Sequence, residues 1–142
     1  MDWSNLNLHG DAPDCAFEAL TGILFERWCR REFSSQIKQV VFVNGAGGDG
    51  GVEAYVELDN GKLIGLQAKW FREPLGSSQI TQIKKSLKTA AEVRDNLTRY
   101  IVTVPRDLSD GKTKKVSQIT ERDRWNEFIK QTKVDYPGVT ID

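Results

Sequence analysis

The chain has 142 residues, 20 basic and 20 acidic side chains, and 39% hydrophobic residues. That is enough for one domain with a real core. With zero formal net charge, any affinity for nucleic acid has to come from a local basic patch. One histidine, His9, and two cysteines, Cys15 and Cys29, do not make a zinc site, which wants four N or S ligands in paired spacing. No signal peptide, lipidation motif or apolar run of membrane-spanning length is present, so a reducing cytoplasm and no membrane partner are expected.

In chain order, residues 1–12 are polar and irregular, and Asp14 reads as a helix N-cap. The stretch that follows is apolar at Phe17, Leu20, Leu24 and Trp28, a helical stripe. Both cysteines fall in this helix, too far apart along it for a disulfide. Residues 38–44 read as a buried strand, and residues 52–58 and 62–70 as two more joined by "DNG". Ser77 reads as the cap of a second helix with Ile80, Ile83, Leu87 and Ala91 facing the core. Residues 99–105 form a further strand, 106–118 a polar loop with Lys112, Lys114 and Lys115, and about 119–133 a third helix packing through Trp125, Phe128 and Ile129. The order is α-β-β-β-α-β-α, and the tail reads as the start of another strand.

The stretch "VVFVNGAGGDGGVEAYV" (40–56) contains Gly45, Gly47 and Gly50 in G-x-G-x-x-G spacing. A dinucleotide loop must open a helix, because the pyrophosphate sits on the helix N-terminus. Here Val52, Ala54, Val56 and Leu58 alternate with period two, so the loop runs into a strand. The context therefore opposes nucleotide-cofactor binding.

The turn decides what lies beside that strand. If "DNG" is a three-residue loop with Gly61 left-handed, Leu58 pairs with Lys62 and Glu53 falls opposite Gln67. Gln67 and Lys69 then share a face with Glu53. A two-residue Asn60–Gly61 turn would put Glu53 opposite Ala68 and on the other face. Local sequence does not choose between them. In the first register a carboxylate, an amide oxygen and an ammonium converge. Glu53 and Gln67 are hard oxygen donors suited to Mg²⁺, Lys69 could activate a water, and Asp49 could add a carboxylate. The ordinary alternative is a surface Glu–Lys cross-strand pair.

"GGDGGVEAYV" followed fourteen residues after Glu53 by "QAK" resembles the PD-(D/E)XK nuclease superfamily, in its Mrr-like branch. "LQAKWF" and "NLTRYIVTVPRDL" look like the N-terminal endonuclease domains of bacterial antiviral proteins, among them CD-NTase-associated endonucleases and effectors of STAND-type NTPases. The resemblance covers about residues 14–135. It implies an α/β fold with a restriction-endonuclease-like core, a mixed sheet flanked by helices, as one nuclease domain over 1–142 of a longer protein. It implies Glu53, Gln67 and Lys69 as catalytic positions and Glu18 as an accessory acid. Glu53, Gln67 and Asp49 would hold Mg²⁺, with Mn²⁺ as a substitute. Two departures stand out: many relatives have Asp at position 53, and many have Asp or Glu at position 67, where this chain has a weaker neutral ligand.

The implied substrate is double-stranded DNA, cut with little sequence specificity. The second helix carries Gln79, Gln82, Lys84, Lys85 and Lys88 opposite its apolar stripe, and Arg72 lies just before it. Such side chains contact phosphates without reading bases. By the same resemblance the protein acts as a homo-oligomer controlled by a C-terminal region absent from this chain. Gly22, one turn after Glu18, either lets the first helix approach the hairpin that carries the site or relieves crowding against Trp28 or a sheet residue. The competing functions are a DNA-binding module of the same fold without turnover and a protein-interaction domain.

Overall fold

The computed structural model describes residues 3, 6, 10, 12–43, 50–110 and 118–142. Asp49 and the Lys112, Lys114 and Lys115 cluster lie outside the described residues. The "DNG" turn sets the register of everything near the site. Leu58 N–H donates to Lys62 O (2.9 Å), Gly61 N–H donates to Leu58 O (2.9 Å), and Gly61 has φ +80°. This is the three-residue loop, closed by a left-handed glycine. It joins β2 (Ala54–Leu58) to β3 (Leu63–Ala68), with Val56 opposite Ile64 and Ala54 opposite Leu66.

β1 (Ile37–Phe42) pairs antiparallel with β2, and β4 (Leu97–Thr103) pairs parallel with β3. The tail does form a strand, β5 (Thr140–Ile141), parallel to β4 at the edge. The result is a five-stranded mixed sheet in the order β1-β2-β3-β4-β5. β3 ends sooner than its β-rich sequence predicts. Phe71 N–H donates to Lys69 O, and that tight turn takes the chain out of the sheet.

Alternation along β3 divides the core. Ile64 and Leu66 join Ala54, Val56, Leu58, Phe25 and Cys29 under α1 (Pro13–Phe33). On the opposite face Leu63 joins Val52, Ile83, Leu87, Leu97, Tyr100 and Phe128 under α2 (Ser77–Val93) and α3 (Glu121–Asp135). Among the described residues no helix is long and apolar enough to cross a membrane.

Three helix details differ from the sequence reading. Asp14 is not the cap of α1. The helix starts at Pro13, whose fixed φ suits the first position, and Asp14 complements the helix dipole from the first turn. The buried row of α1 is Phe17, Thr21, Phe25 and Cys29, whereas Leu24 is 53% exposed. Leu24 and Trp28 line an open groove of about 380 Å³ over Leu66 and Ile101. Ser77 does not cap α2 either: Gly76 precedes it, and Gly76 N–H donates to Gln79 Oε1 (3.1 Å). α3 begins as a capping box, with Thr120 Oγ1 accepting from Asp123 N–H and Asp123 Oδ2 accepting from Thr120 N–H.

Candidate functional site

The ladder that begins at the hairpin carries past the end of β2. Glu53 N–H donates to Leu66 O (2.8 Å), and Val43 N–H donates to Glu53 O (2.8 Å). Glu53, at the bend just before β2, sits beside Gln67, and Gln67 Nε2 donates to Glu53 Oε1 at 2.5 Å. Glu53 is half-buried and Gln67 is 0% exposed. Of the two registers that the sequence left open, the structure has the one that brings these side chains together.

A fully buried amide must find partners for two N–H groups and an oxygen. The second Gln67 N–H donates to Ala68 O (3.2 Å). Gln67 Oε1 lies 3.4 Å from Tyr100 Oη, whose shorter bond, 2.7 Å, is to Gly51 O. Tyr100 was legible in the sequence only as a strand residue. Its signal is a hydroxyl on the inward face of an apolar strand, opposite a strand glycine. That glycine is Gly65, where an added Cβ would lie 2.8 Å from Val52 Cγ1 and 3.6 Å from the Tyr100 ring.

The glycine-rich segment has a structural use at its described end. Gly51 has φ +80°, and a Cβ there would lie 2.1 Å from Ser86 O and 2.7 Å from Ala90 N. Only a glycine lets this segment lie on the backbone of α2. This is also why Ala90, rather than Ala91, is the fully buried small residue of α2. Arg94, another residue that the sequence reading missed, fixes the adjoining turn. Its Nη1 donates to Gly50 O (2.7 Å), and its guanidinium stacks over Tyr55 at 5.2 Å.

Lys69 extends β3 by one residue, its N–H donating to Thr103 O (2.9 Å). It is two residues beyond Gln67 and lines a groove of about 360 Å³ with Gly51, Gln82, Lys85, Ser86 and Thr89. The groove lies on the α2 face, the same face as Gln67 and Tyr100. Lys69 and Lys85 thus line one groove beside hydroxyl and amide groups, a setting suited to an anion such as a phosphate.

The basic face expected on α2 divides. Gln82 and Lys85 line the Lys69 groove. Lys84 lies instead in a groove of about 530 Å³ between α2 and α3, with Asp123 and Glu127 on its walls. Lys88 pairs with Glu92 at 3.7 Å on the open helix surface. Gln79 has its oxygen engaged at the start of α2, accepting from Ser78 Oγ (2.9 Å) as well as from Gly76. Arg72 is exposed in the segment between β3 and α2.

Glu18 is exposed on α1, which packs on the opposite face of the sheet from Gln67 and Tyr100. Gly22 meets a sheet residue, since a Cβ there would be 2.9 Å from Phe42 Cε1 of β1. The crowding explanation of Gly22 is therefore the applicable one. Burial pushes the Cys29 thiol up to about 12, Arg99 opposing this only in part, so Cys29 is no nucleophile near neutral pH.

The donor set near Glu53 fits a hard divalent cation with one condition. Glu53 offers a carboxylate, but the buried amide of Gln67 turns its NH₂ toward it. A half-turn of the amide about its terminal bond would exchange N for O with little change of shape, but it would give up the hydrogen bonds to Glu53 and to Ala68 O. Among the described residues no three His, Cys, Asp or Glu side chains converge on one point. No family model, curated protein or solved structure matches the chain.

Proposed function

We propose that the chain is a metal-dependent endonuclease domain with a restriction-endonuclease-like, PD-(D/E)XK core. It hydrolyses phosphodiester bonds of double-stranded DNA with little sequence specificity, as the effector of an antiphage system. The observation that carries this reading is the pairing of Glu53 with the buried Gln67 at 2.5 Å, with Lys69 two residues on and lining a groove with Lys85. Glu53 and Gln67 would hold Mg²⁺, or Mn²⁺ in its place. Such an ion, when bound, polarises a phosphoryl oxygen and stabilises the charge of the transition state. Lys69, as an ammonium, orients the attacking water and stabilises the charge on the phosphate as the water oxygen bonds to phosphorus and the P–O bond to the leaving strand breaks, the water's proton passing to solvent and the leaving oxygen taking one up from it. Lys85, Gln82 and Thr89 hold neighbouring phosphates, which positions the strand without reading its bases.

The second reading is a DNA-binding module without turnover. It is favoured by the neutral amide at position 67, which donates to Glu53 where a nuclease of this family commonly carries another carboxylate. One assay separates the two: supercoiled plasmid incubated with purified protein and Mg²⁺, Mn²⁺ or EDTA, at several protein concentrations because the resemblance implies assembly. Cleavage with Mg²⁺ and none with EDTA supports the nuclease. Salt-sensitive binding without cleavage supports the module. Absence of both overturns both.

A further inference from the structure

The two edges of the sheet are unlike. β5 is two residues long and is followed by Asp142, which pairs with Arg99, a short and charged edge of the kind that keeps sheets from pairing with one another. β1 is six residues long, and the chain is wholly apolar from Val40 to Val43. Among the described residues no strand lies beyond β1. Phe42 is 53% exposed although its ring reaches Gly22 of α1, and Ile23, beside that glycine, is 44% exposed.

Strand alternation settles which backbone groups this edge offers. Leu58 N–H donates to Lys62 O across the hairpin, so Leu58, Val56 and Ala54 turn their N–H and C=O toward β3, while Tyr55 and Glu57 turn theirs toward β1. Their partners Val41 and Gln39 therefore point inward, as Val43 does in donating to Glu53 O. The N–H and C=O of Val40 and Phe42 are left directed out of the sheet.

We infer that β1 is a dimerisation surface: it pairs antiparallel with β1 of a second copy of this chain, about a two-fold axis at Val41, and joins the two sheets into one. The inference goes beyond the endonuclease reading and does not depend on it. A second copy fits because the strand is its own complement. In this register Val40 of each copy faces Phe42 of the other, and the outward N–H and C=O groups of both residues gain partners. Val40 and Phe42 lie together on the α1 face, so the cross-strand pairs they form are apolar. No like charges oppose one another. Lys38 falls past the end of the facing strand, and its charge is already met by Glu57 at 2.8 Å. The zero net charge of the chain adds no overall repulsion between copies.

The test uses the parent chain, Val40→Pro, and two cysteine variants, Val41→Cys and Gln39→Cys, both made with Cys15→Ser so that the buried Cys29 is the only other thiol. Sedimentation over about a hundredfold range of concentration should show a monomer–dimer equilibrium for the parent. Val40→Pro removes an N–H that the chain's own ladder does not use. It should weaken the dimer about tenfold or more, with circular dichroism and thermal melting still those of a folded protein. On mild oxidation Val41→Cys should form a covalent dimer, because directly opposed residues of a non-hydrogen-bonded pair have Cα atoms about 4.5 Å apart, within reach of a disulfide. Gln39→Cys should not, since its two copies stand about 14 Å apart along the strands. In amide hydrogen exchange Val40 and Phe42 should become protected as concentration rises, with Gln39 and Val41 protected throughout. A dimer that withstands Val40→Pro, or that crosslinks through Gln39→Cys as well as through Val41→Cys, would place the interface elsewhere and overturn the inference. So would a parent that stays monomeric, with Val40 and Phe42 exchanging freely at every concentration; the edge would then be open to a strand of another protein. Should Val40→Pro not fold, the crosslinks and the exchange of the parent decide.

Discussion

Glu53 and Glu57 lie four residues apart, Glu53 at the bend just before β2 and Glu57 within it, and both have close polar partners. Glu57 accepts from Lys38 Nζ (2.8 Å) and Gln39 Nε2 (2.5 Å), two exposed side chains of β1. The hydrogen bonds from Lys38 and Gln39 hold its carboxyl below the usual carboxylate range. This is the surface Glu–Lys cross-strand pair that the sequence also allowed for Glu53. Glu53 is different because its partner, Gln67, is entirely buried and is backed in turn by Tyr100 and Gly51. A mobile surface partner gives a solvated ion pair of little energetic worth. A partner fixed by the core gives a preorganised group, which is what a reaction requires.

Lys69 breaks or sharpens this contrast most strongly. Lys69→Ala keeps Glu53 and Gln67 but removes the ammonium from the groove. Plasmid cleavage should fall by about two or more orders of magnitude, as for loss of a comparable electrostatic group. DNA binding should change little, since one phosphate contact among several is a small part of the whole. An equally active, folded Lys69→Ala protein would remove the site from consideration.

A third carboxylate separates burial from function. Glu121 is 6% exposed at the start of α3. Its Oε1 accepts from Leu75 N–H (2.6 Å), and its Oε2 accepts from Ser109 N–H (3.0 Å) and Arg106 Nη2 (3.3 Å). Burial pushes its pKa up, but the N–H groups of Leu75 and Ser109, with Arg106 nearby, outweigh that and leave it lowered. Every partner here is a fixed part of the fold, so Glu121 is a clamp for three segments. Glu121→Gln should cost about 2–3 kcal/mol at neutral pH, the scale of charge-assisted hydrogen bonds to a buried group. With the folded pKa depressed, that contribution is present above the unfolded value of 4.5 and is lost as pH falls through the lower folded value. Denaturant melts of both proteins should converge in acid, once pH has fallen through that lowered value. A difference that persists into acid would show that packing, not charge, carries the clamp.

The smallest effects test the division of α2. Lys85→Glu should weaken DNA binding and lower its salt dependence more than Lys84→Glu, because Lys85 shares the Lys69 groove and Lys84 faces Asp123 and Glu127. Equal losses, read by fluorescence anisotropy across a salt series, would restore the undivided basic face. Tyr55, between the two glutamates, leads to a similar test: Arg94→Ala, which frees Gly50 O and the Tyr55 ring, should loosen the glycine-rich end while leaving the Glu57 pair intact. Hydrogen exchange at Gly51 and Val52 would record it.

The hairpin was the most legible part of the sequence, because "DNG" offers only two registers and alternation then fixes every partner. The strands and the three helices were legible for the same reason: period and turn chemistry are local. The orientation of α1 was not. Leu24 and Phe25 are adjacent and both apolar, and their order gives no sign that the buried row runs through Phe17, Thr21, Phe25 and Cys29. That row packs on Ala54, Val56, Ile64 and Leu66 of the sheet, which are distant in sequence. Tyr100 and Arg94 were missed on similar grounds, since their roles consist of bonds to Gly51 and Gly50 more than forty residues away. Lys84, Lys85 and Lys88 looked alike because a helical wheel shows one polar face and not the neighbour, α3, that splits it.

The most direct measurement compares the two glutamates in one experiment. Supercoiled plasmid is incubated with Mg²⁺ and equal amounts of the parent, Glu53→Ala and Glu57→Ala proteins, each checked for folding by circular dichroism. The account predicts cleavage by the parent, cleavage at an unchanged rate by Glu57→Ala, and none by Glu53→Ala. Cleavage by Glu53→Ala at the parent's rate, or equal loss in both variants, would contradict it.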